Sequence, residues 1–232
     1  MSPWAGSGAR LRHNPAIPAN KKKNKGMTVP ARLARAASLI LFTGLAGAEP
    51  LSVSVEPGVT AASGHDDDYV YRLPYGDAVS FAILQSYGSP LSHRGAEFFT
   101  LDFGMPEGTR VYSAREGTVL ATEDRFDLSC WSDGCGRYAN FVEILHGDGT
   151  VGRYFHLQQG SVVVRPGQRV ARGEAIARSG DTGYATVPHL HFGVYRIGDG
   201  GDAQSIAVRF AARGGLVLHP RAGARYINAA EE

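Results

Sequence analysis

Short runs in which hydrophobic and polar residues alternate follow one another along the chain from residue 71 onward. Alternation with a period of two predicts half-buried strands, and turn signals that recur about every 8–12 residues favour a β-sandwich or barrel. No stretch has the apolar spacing of a long helix, although residues 203–213 predict a short one. The runs that predict strands are DAVSFAILQSYG, FFTLDFGM, RVYSAREGTVLATED, GRYANFVEILHGDGT, VGRYFHL, SVVVRPGQRVARGEAIARSG and HLHFGVYR.

The first 48 residues differ in composition from the rest, because they hold every lysine of the chain and no acidic residue. From Met27 the chain continues with two arginines, a short apolar stretch over residues 36–45 and the small-residue sequence AGA. This is the layout of a secretory signal peptide, and it predicts cleavage after Ala48. The alternative is a single-pass membrane anchor, but the apolar stretch is short for a hydrocarbon core of ~30 Å.

These boundaries divide the 232 residues into three parts. Residues 1–48 are predicted to be a leader, with the signal peptide starting at Met27 after an upstream extension. Residues 49–70 are polar and predict a flexible lead-in, and residues 71–232 are long enough for one folded domain with its own core. After cleavage, 16 arginines would face 22 acidic residues, a formal net charge of −6. No basic run remains, which argues against a nucleic-acid partner.

The chain has two cysteines, Cys130 and Cys135, in the sequence CWSDGC. In an exported chain two nearby cysteines predict a disulfide, and a loop this small would brace one hairpin rather than the whole fold. The alternatives are two free thiols or half of a zinc knuckle. A knuckle would need a second pair of cysteines, which this sequence lacks.

Three sequence contexts hold histidines that could take part in catalysis. His189 and His191 lie two residues apart in PHLHFGVY, so on a strand their rings project to the same side. Buried imidazoles need polar partners. His93 and Asp102 occur in SHRGAEFFTLDFG, and His156 occurs in GRYFHL. Imidazoles and a carboxylate are the ligands of a catalytic zinc ion with three protein ligands and an open fourth position.

Each of these residues also has an ordinary interpretation. A lone histidine is more often a surface or hydrogen-bonded residue than a metal ligand, and a His-x-His pair alone is weak evidence for a metal. Asp102 alone could be a buried structural carboxylate. The metal hypothesis depends on finding all five residues within short predicted strands.

Four segments, in order, resemble the lysostaphin-type zinc endopeptidases of the bacterial cell wall. The resemblance covers about residues 71–196, and it implies an antiparallel β core with a groove that has zinc at its floor. The segments are SH followed by LDFGMPEGTRVYSAREGTV, then YFHL, VRPGQRVARGEAIARSGDTG and PHLHFGVY.

Carried over by position, the resemblance implies that His93, Asp102 and His191 are the three ligands of one zinc ion. It implies that His156 and His189 are the two catalytic imidazoles beside the metal. The expected activity is that of an exported, periplasmic or secreted metalloendopeptidase that cuts peptides of peptidoglycan.

The sequence departs from the family pattern at the first ligand. Three residues usually separate the first histidine from the aspartate, whereas here eight residues, RGAEFFTL, separate His93 from Asp102. His65, in the polar lead-in, is therefore an alternative ligand.

Two other classes of protein fit parts of the pattern. A non-hydrolytic cell-wall-binding or regulatory module of the same fold is one, but such modules typically lose ligands, and this chain keeps all five positions. A cupin-type metal barrel also uses His-x-His, but there the pair precedes the remaining ligands, whereas here it comes last. Both the retention and the order favour the peptidase.

Overall fold

The computed structural model describes residues 66, 68–132 and 134–230, which are rich in β-structure. The predicted leader and most of the predicted lead-in lie outside the described residues. Two short 3₁₀ helices cover Gly95–Glu97 and Cys135–Tyr138. The strands are β1 (Val70–Arg72), β2 (Phe81–Gln85), β3 (Leu101–Phe103), β4 (Arg110–Tyr112), β5 (Gly117–Glu123), β6 (Ser129–Cys130), β7 (Phe141–Leu145), β8 (Val151–Phe155), β9 (Arg169–Val170), β10 (Ala175–Arg178), β11 (Gly183–Tyr184), β12 (Leu190–Ile197), β13 (Ala203–Ile206), β14 (Arg209–Ala212), β15 (Gly215–Val217) and β16 (Arg225–Tyr226).

Nine strands form the main sheet, in the order β16-β2-β3-β12-β8-β7-β5-β9, with β13 added to β12. Every strand pair in this sheet is antiparallel. Three smaller sheets pair β1-β14-β15, β4 with β10, and β6 with β11. The prediction of an all-β fold with an antiparallel core is therefore confirmed.

Strand β12 lies at the centre of the main sheet and has two different faces. Leu190, Phe192 and Val194 are almost fully buried. Because successive side chains of a strand point to opposite faces, His191 and Tyr195 share the other face. The strand therefore packs against the core with one face and presents polar groups on the other.

The core is built on the face that carries Phe192. Its ring lies 5.1 Å from the ring of Tyr154 on β8 and 6.1 Å from that of Phe210 on β14, centroid to centroid. Burial of large aromatic side chains contributes strongly to stability, and these contacts hold the main sheet and β14 together. The central strand that carries the candidate histidines is thus held by packing on its back.

The prediction of a short helix over residues 203–213 is wrong. This segment forms β13 and β14, and β13 pairs antiparallel with β12. Val208, Phe210 and Ala212 are buried in alternation with less buried neighbours. This period of two fits a strand, and the burial of Phe210 outweighs the helix preference of the alanines.

Across the described residues, none of the helices has the length and apolar character needed to cross a membrane.

Candidate active site

Three of the predicted site residues converge on one point. Asp102 Oδ1 lies 3.2 Å from His93 Nε2 and 2.8 Å from His191 Nδ1. The arrangement follows from the fold, because Asp102 on β3 and His191 on β12 are direct partners across the antiparallel ladder. His93 reaches the same point from the loop after β2 and is completely buried.

The three residues fit a small divalent metal ion. Tetrahedral zinc with ligands at about 2.0–2.1 Å places neighbouring ligand atoms about 3.3–3.4 Å apart, which is within a few tenths of an ångström of the His93–Asp102 separation. His93 Nε2 is buried and makes no hydrogen bond with any described residue. A buried nitrogen without a donor or acceptor costs free energy unless another group satisfies it. His93, Asp102 and His191 could therefore hold a metal.

The outer atoms of two of these side chains are held by neighbours. His93 Nδ1 lies 3.0 Å from the carbonyl oxygen of Ser86. Because a carbonyl can only accept, Nδ1 carries the proton, and Nε2 of the neutral ring keeps its lone pair. Gln85 Nε2 donates to Asp102 Oδ2 at 2.6 Å, which leaves Oδ1 directed at the two imidazoles. Hydrogen bonds of this kind, to the atoms that face away from the metal, orient the side chains of metal ligands.

Carboxylates make this point of the molecule favourable for positive charge. Burial raises the pKa of Asp102, but the adjacent imidazoles of His191 and His93 outweigh it and hold that pKa well below its usual range. Burial lowers the pKa of His191, but Asp102 and Glu97 outweigh it and raise that pKa to about 9. The cluster therefore keeps an ionised carboxylate at its centre.

The other two predicted histidines, His156 and His189, lie beside this cluster with ring centroids 4.5 Å apart. His156 Nδ1 lies 2.7 Å from the carbonyl oxygen of Thr182, and His189 Nδ1 lies 2.8 Å from that of Val187. Both rings therefore carry the proton on Nδ1, and both neutral rings keep Nε2 as an acceptor. Burial lowers the pKa of both, that of His156 to about 3, which favours the neutral rings.

The backbone around these two histidines has an unusual conformation at His156 and a close approach of chain segments at Gly180. His156 has a φ of 62° and is the only non-glycine residue with a positive φ in the described part of the chain. Strained conformations of this kind cluster at functional sites. Gly180 N donates to the carbonyl oxygen of His156, and Gly180 O accepts from His189 N. A Cβ at Gly180 would lie 2.7 Å from Gln158 N, so only glycine fits between the two histidines.

Asp102, His156, His189 and His191 line a cleft of about 640 Å³, and the buried His93 contacts Asp102 without lining the cleft itself. The cleft has apolar walls, and Trp131 is 70% exposed there. The Sγ atoms of Cys130 and Cys135, at either end of the loop that carries Trp131, are at disulfide distance, with Cα atoms 5.8 Å apart. The apolar and aromatic residues that line the cleft are Leu84, Leu91, Trp131, Ala139, Phe155, Tyr184 and Val187.

Sequence reasoning missed two polar residues at the site, Gln85 and Glu97. Glu97 lies inside the eight-residue spacer before Asp102, so the unusual spacing was the available signal for it. Gln85 carried no such signal. The alternative ligand His65 lies outside the described residues, and His219 is an exposed residue near the carboxyl end.

The known proteins that this chain resembles in sequence are peptidases. The sequence profile of Peptidase family M23 matches residues 97–205. The peptidoglycan DD-endopeptidase ShyA of Vibrio cholerae is 39% identical over 104 residues, which cover 44% of this chain and 21% of that protein. The glycyl-glycine endopeptidase ALE-1 of Staphylococcus capitis is 33% identical over 135 residues, which cover 57% of this chain and 32% of that protein.

A solved structure has a similar sequence. The catalytic domain of lysostaphin from Staphylococcus simulans is 30% identical and covers 54% of this chain and 88% of its own, with a TM-score of 0.41. This chain spans less than a third of the length of ShyA, and about a third of that of ALE-1.

Proposed function

Because this chain carries a Peptidase family M23 domain, we propose that it is an exported zinc metalloendopeptidase that hydrolyses peptide bonds in the stem or cross-link peptides of peptidoglycan. The observation that carries the proposal is the convergence of His93 Nε2, Asp102 Oδ1 and His191 Nδ1 beside a cleft that Asp102 and His191 line. Three protein ligands with an open fourth position are typical of catalytic rather than structural zinc.

The relatives support the class of reaction and leave the bond open. ShyA is named a peptidoglycan DD-endopeptidase and ALE-1 a glycyl-glycine endopeptidase. Both names describe cleavage inside a peptide, so we assign this chain an endopeptidase activity. We propose peptidoglycan as the substrate from ShyA and its relative ShyB, also named a peptidoglycan DD-endopeptidase.

In this proposal His93, Asp102 and His191 hold one zinc ion per chain. When bound, zinc would polarise the scissile carbonyl and lower the pKa of a water to about 7. The chain supplies two neutral imidazoles and one carboxylate. The hydrogen bond that His93 Nδ1 donates to the Ser86 carbonyl and the one that Gln85 donates to Asp102 fix how two of these ligands point.

His156 and His189 move the protons. In each ring the Nδ1–H group donates a hydrogen bond to a backbone carbonyl, and Nε2 keeps its lone pair. Either ring can therefore accept a proton from the attacking water at Nε2. Once protonated, the same Nε2 can donate a hydrogen bond to the negative charge that develops on the carbonyl oxygen, or a proton to the leaving amine. The centroids of the two imidazole rings are 4.5 Å apart, so both rings can act on the same substrate group.

Export completes the proposal. The basic, apolar and small-residue segments before Ala48 direct the chain across the membrane, and the mature protein would begin at Glu49. It would then act in the periplasm or outside the cell. Amino-terminal sequencing of exported protein that still begins near Met27 would contradict cleavage and favour an anchor.

The test is digestion of purified peptidoglycan by protein of known zinc content, followed by mass spectrometry of the released fragments. We expect soluble fragments with new free amino groups and no new reducing sugar ends, because a peptide bond is cut. Protein that holds zinc and binds peptidoglycan but releases nothing would overturn the proposal in favour of a binding module.

A further inference from the structure

Glu97 faces the outer side of the His191 ring. Its Oε2 lies 3.4 Å from His191 Nε2, while His191 Nδ1 lies 2.8 Å from Asp102 Oδ1. The imidazole is therefore between two carboxylates, one at each nitrogen. Glu97 belongs to the 3₁₀ helix Gly95–Glu97 within the spacer that links His93 to Asp102.

The Glu97 carboxylate is held in this position from β12 itself. The hydroxyl of Tyr195 donates a hydrogen bond to Glu97 Oε2. Tyr195 and His191 are four residues apart on one strand, so both side chains lie on the same face and reach the same oxygen. In addition, Thr100 Oγ1 donates to the Glu97 carbonyl oxygen at 2.7 Å, which fixes the backbone of the short helix.

A buried ion pair supports Tyr195 from below. The guanidinium carbon of Arg153 lies 4.5 Å from the centroid of the Tyr195 ring, within the range of a cation–π contact. Arg153 Nε lies 2.8 Å from Glu143 Oε1, and both side chains are 7% exposed. The two are cross-strand partners on β8 and β7, so the support is part of the main sheet.

We propose that Glu97 is a positioning residue that holds the ligand His191 through its Nε2–H and so strengthens metal binding at Nδ1. A metal-bound histidine commonly donates its other N–H to a carboxylate, which fixes the tautomer and the ring orientation. The long spacer supplies this carboxylate here, since the eight residues between His93 and Asp102 contain Glu97. The inference rests on the proposed function, because it takes His191 as a metal ligand.

The test compares three single variants for zinc affinity and for stability without metal. Glu97→Gln removes the charge with little change in size, and Tyr195→Phe removes the hydroxyl that holds the carboxylate. Glu107→Gln is the matched control, because Glu107 is exposed and does not line the cleft. Zinc affinity is measured by competition with a coloured chelator, and the melting temperature is measured on metal-free protein.

We expect Glu97→Gln to weaken zinc binding about 10–100-fold, the usual effect of losing such a partner, while the control binds as the wild type does. Tyr195→Phe should weaken it less. The double variant should lose less affinity than the two single losses combined, because both act through one carboxylate.

Two results would overturn the proposal, and each points to a different failure. If the wild type binds zinc and cleaves peptidoglycan but Glu97→Gln binds zinc within about twofold of it, Glu97 is not a positioning residue, although the proposed function stands. A drop only in the melting temperature of the metal-free protein would then identify Glu97 as a structural tie of the spacer. A wild type that binds no zinc would overturn both proposals.

Discussion

At the scale of single residues, the hydrogen-bond partner of one ring nitrogen determines what the other nitrogen can do. His93, His156 and His189 all have Nδ1 against a backbone carbonyl, so each presents Nε2 as an acceptor. His191 is the exception, because its Nδ1 faces Asp102. The proposed ligands are the imidazoles whose nitrogens lie nearest to Asp102 Oδ1, at 3.2 Å for His93 and 2.8 Å for His191, whereas His189 Nε2 lies at 3.7 Å.

The proton carriers should be separable from the ligands. His156→Ala and His189→Ala should retain zinc, yet hydrolyse peptidoglycan ~10²–10³-fold more slowly, because a general base or an oxyanion donor is lost. The measurement is fragment release, with zinc content and melting temperature determined on the same samples. Variants that lose stability but keep the activity of the folded fraction would identify structural histidines instead.

The ligands should show the opposite pattern. His191→Ala should purify with little zinc, because one of three protein ligands is gone, whereas the control His219→Ala should keep a full complement. Elemental analysis of the purified variants decides. Full zinc in His93→Ala would show that the ligand before the long spacer is wrong, and His65→Ala would then be the next variant to examine.

At the scale of elements, a short loop forms one wall of the cleft. Cys130 at the end of β6 and Cys135 at the start of a 3₁₀ helix enclose Trp131, and β6 pairs with β11, which carries Tyr184. The two aromatic residues are 70% and 45% exposed and both line the cleft. In the proposed enzyme this wall would contact substrate away from the proposed metal ligands.

Trp131→Ala should therefore affect substrate binding more than chemistry. We expect KM for a soluble peptidoglycan fragment to rise about tenfold with kcat little changed, since the lost contact of a large apolar ring amounts to roughly 1.4 kcal/mol. Leu216→Ala is the control, because Leu216 is 57% exposed on β15 and does not line the cleft. A kcat that falls while KM stays constant would contradict this role.

Elements also show what sequence can and cannot predict. Alternation predicted the strand around Asp102 and the strand around His191, but not that they pair, because the two residues are 89 positions apart in the chain. The same alternation was present in residues 203–213, where the predicted short helix is replaced in the structure by β13 and β14. The long spacer indicated the segment that holds Glu97 but not its proposed role, because that role depends on a contact with Tyr195 on a distant strand.

At the scale of the whole molecule, stability can be tested at a partly buried ion pair whose two residues do not line the cleft. Asp148 Oδ2 lies 2.7 Å from Arg115 Nη1, and Asp148 Oδ1 accepts from the backbone and hydroxyl of Thr150. Burial raises the pKa of Asp148, but these donors outweigh it and hold that pKa below its usual range. The folded state therefore prefers the ionised carboxylate more than the unfolded chain does.

This preference has a defined pH dependence. With the folded pKa below the unfolded value of about 3.9, the stabilisation is complete at neutral pH and declines as the pH falls through and below that value. Asp148→Asn should lower the free energy of unfolding by ~1–3 kcal/mol at pH 7, and by less at pH 3.

Urea unfolding of metal-free protein at the two pH values checks this, with Asp127→Asn as an exposed control. A stability difference between Asp148→Asn and the wild type that is equal at pH 7 and pH 3 would contradict the assignment.

The pairing of Asp102 with His191 across β3 and β12 has a consequence for folding. A shift of one residue in the register of these strands would turn one of the two side chains to the opposite face of the sheet, and the chelating pair would be lost. In the proposed enzyme, zinc would thus bind only to chains whose central strands are correctly aligned, and it would stabilise those chains selectively. A chain with the wrong strand register would therefore bind no zinc at this site, and it would have no peptidase activity.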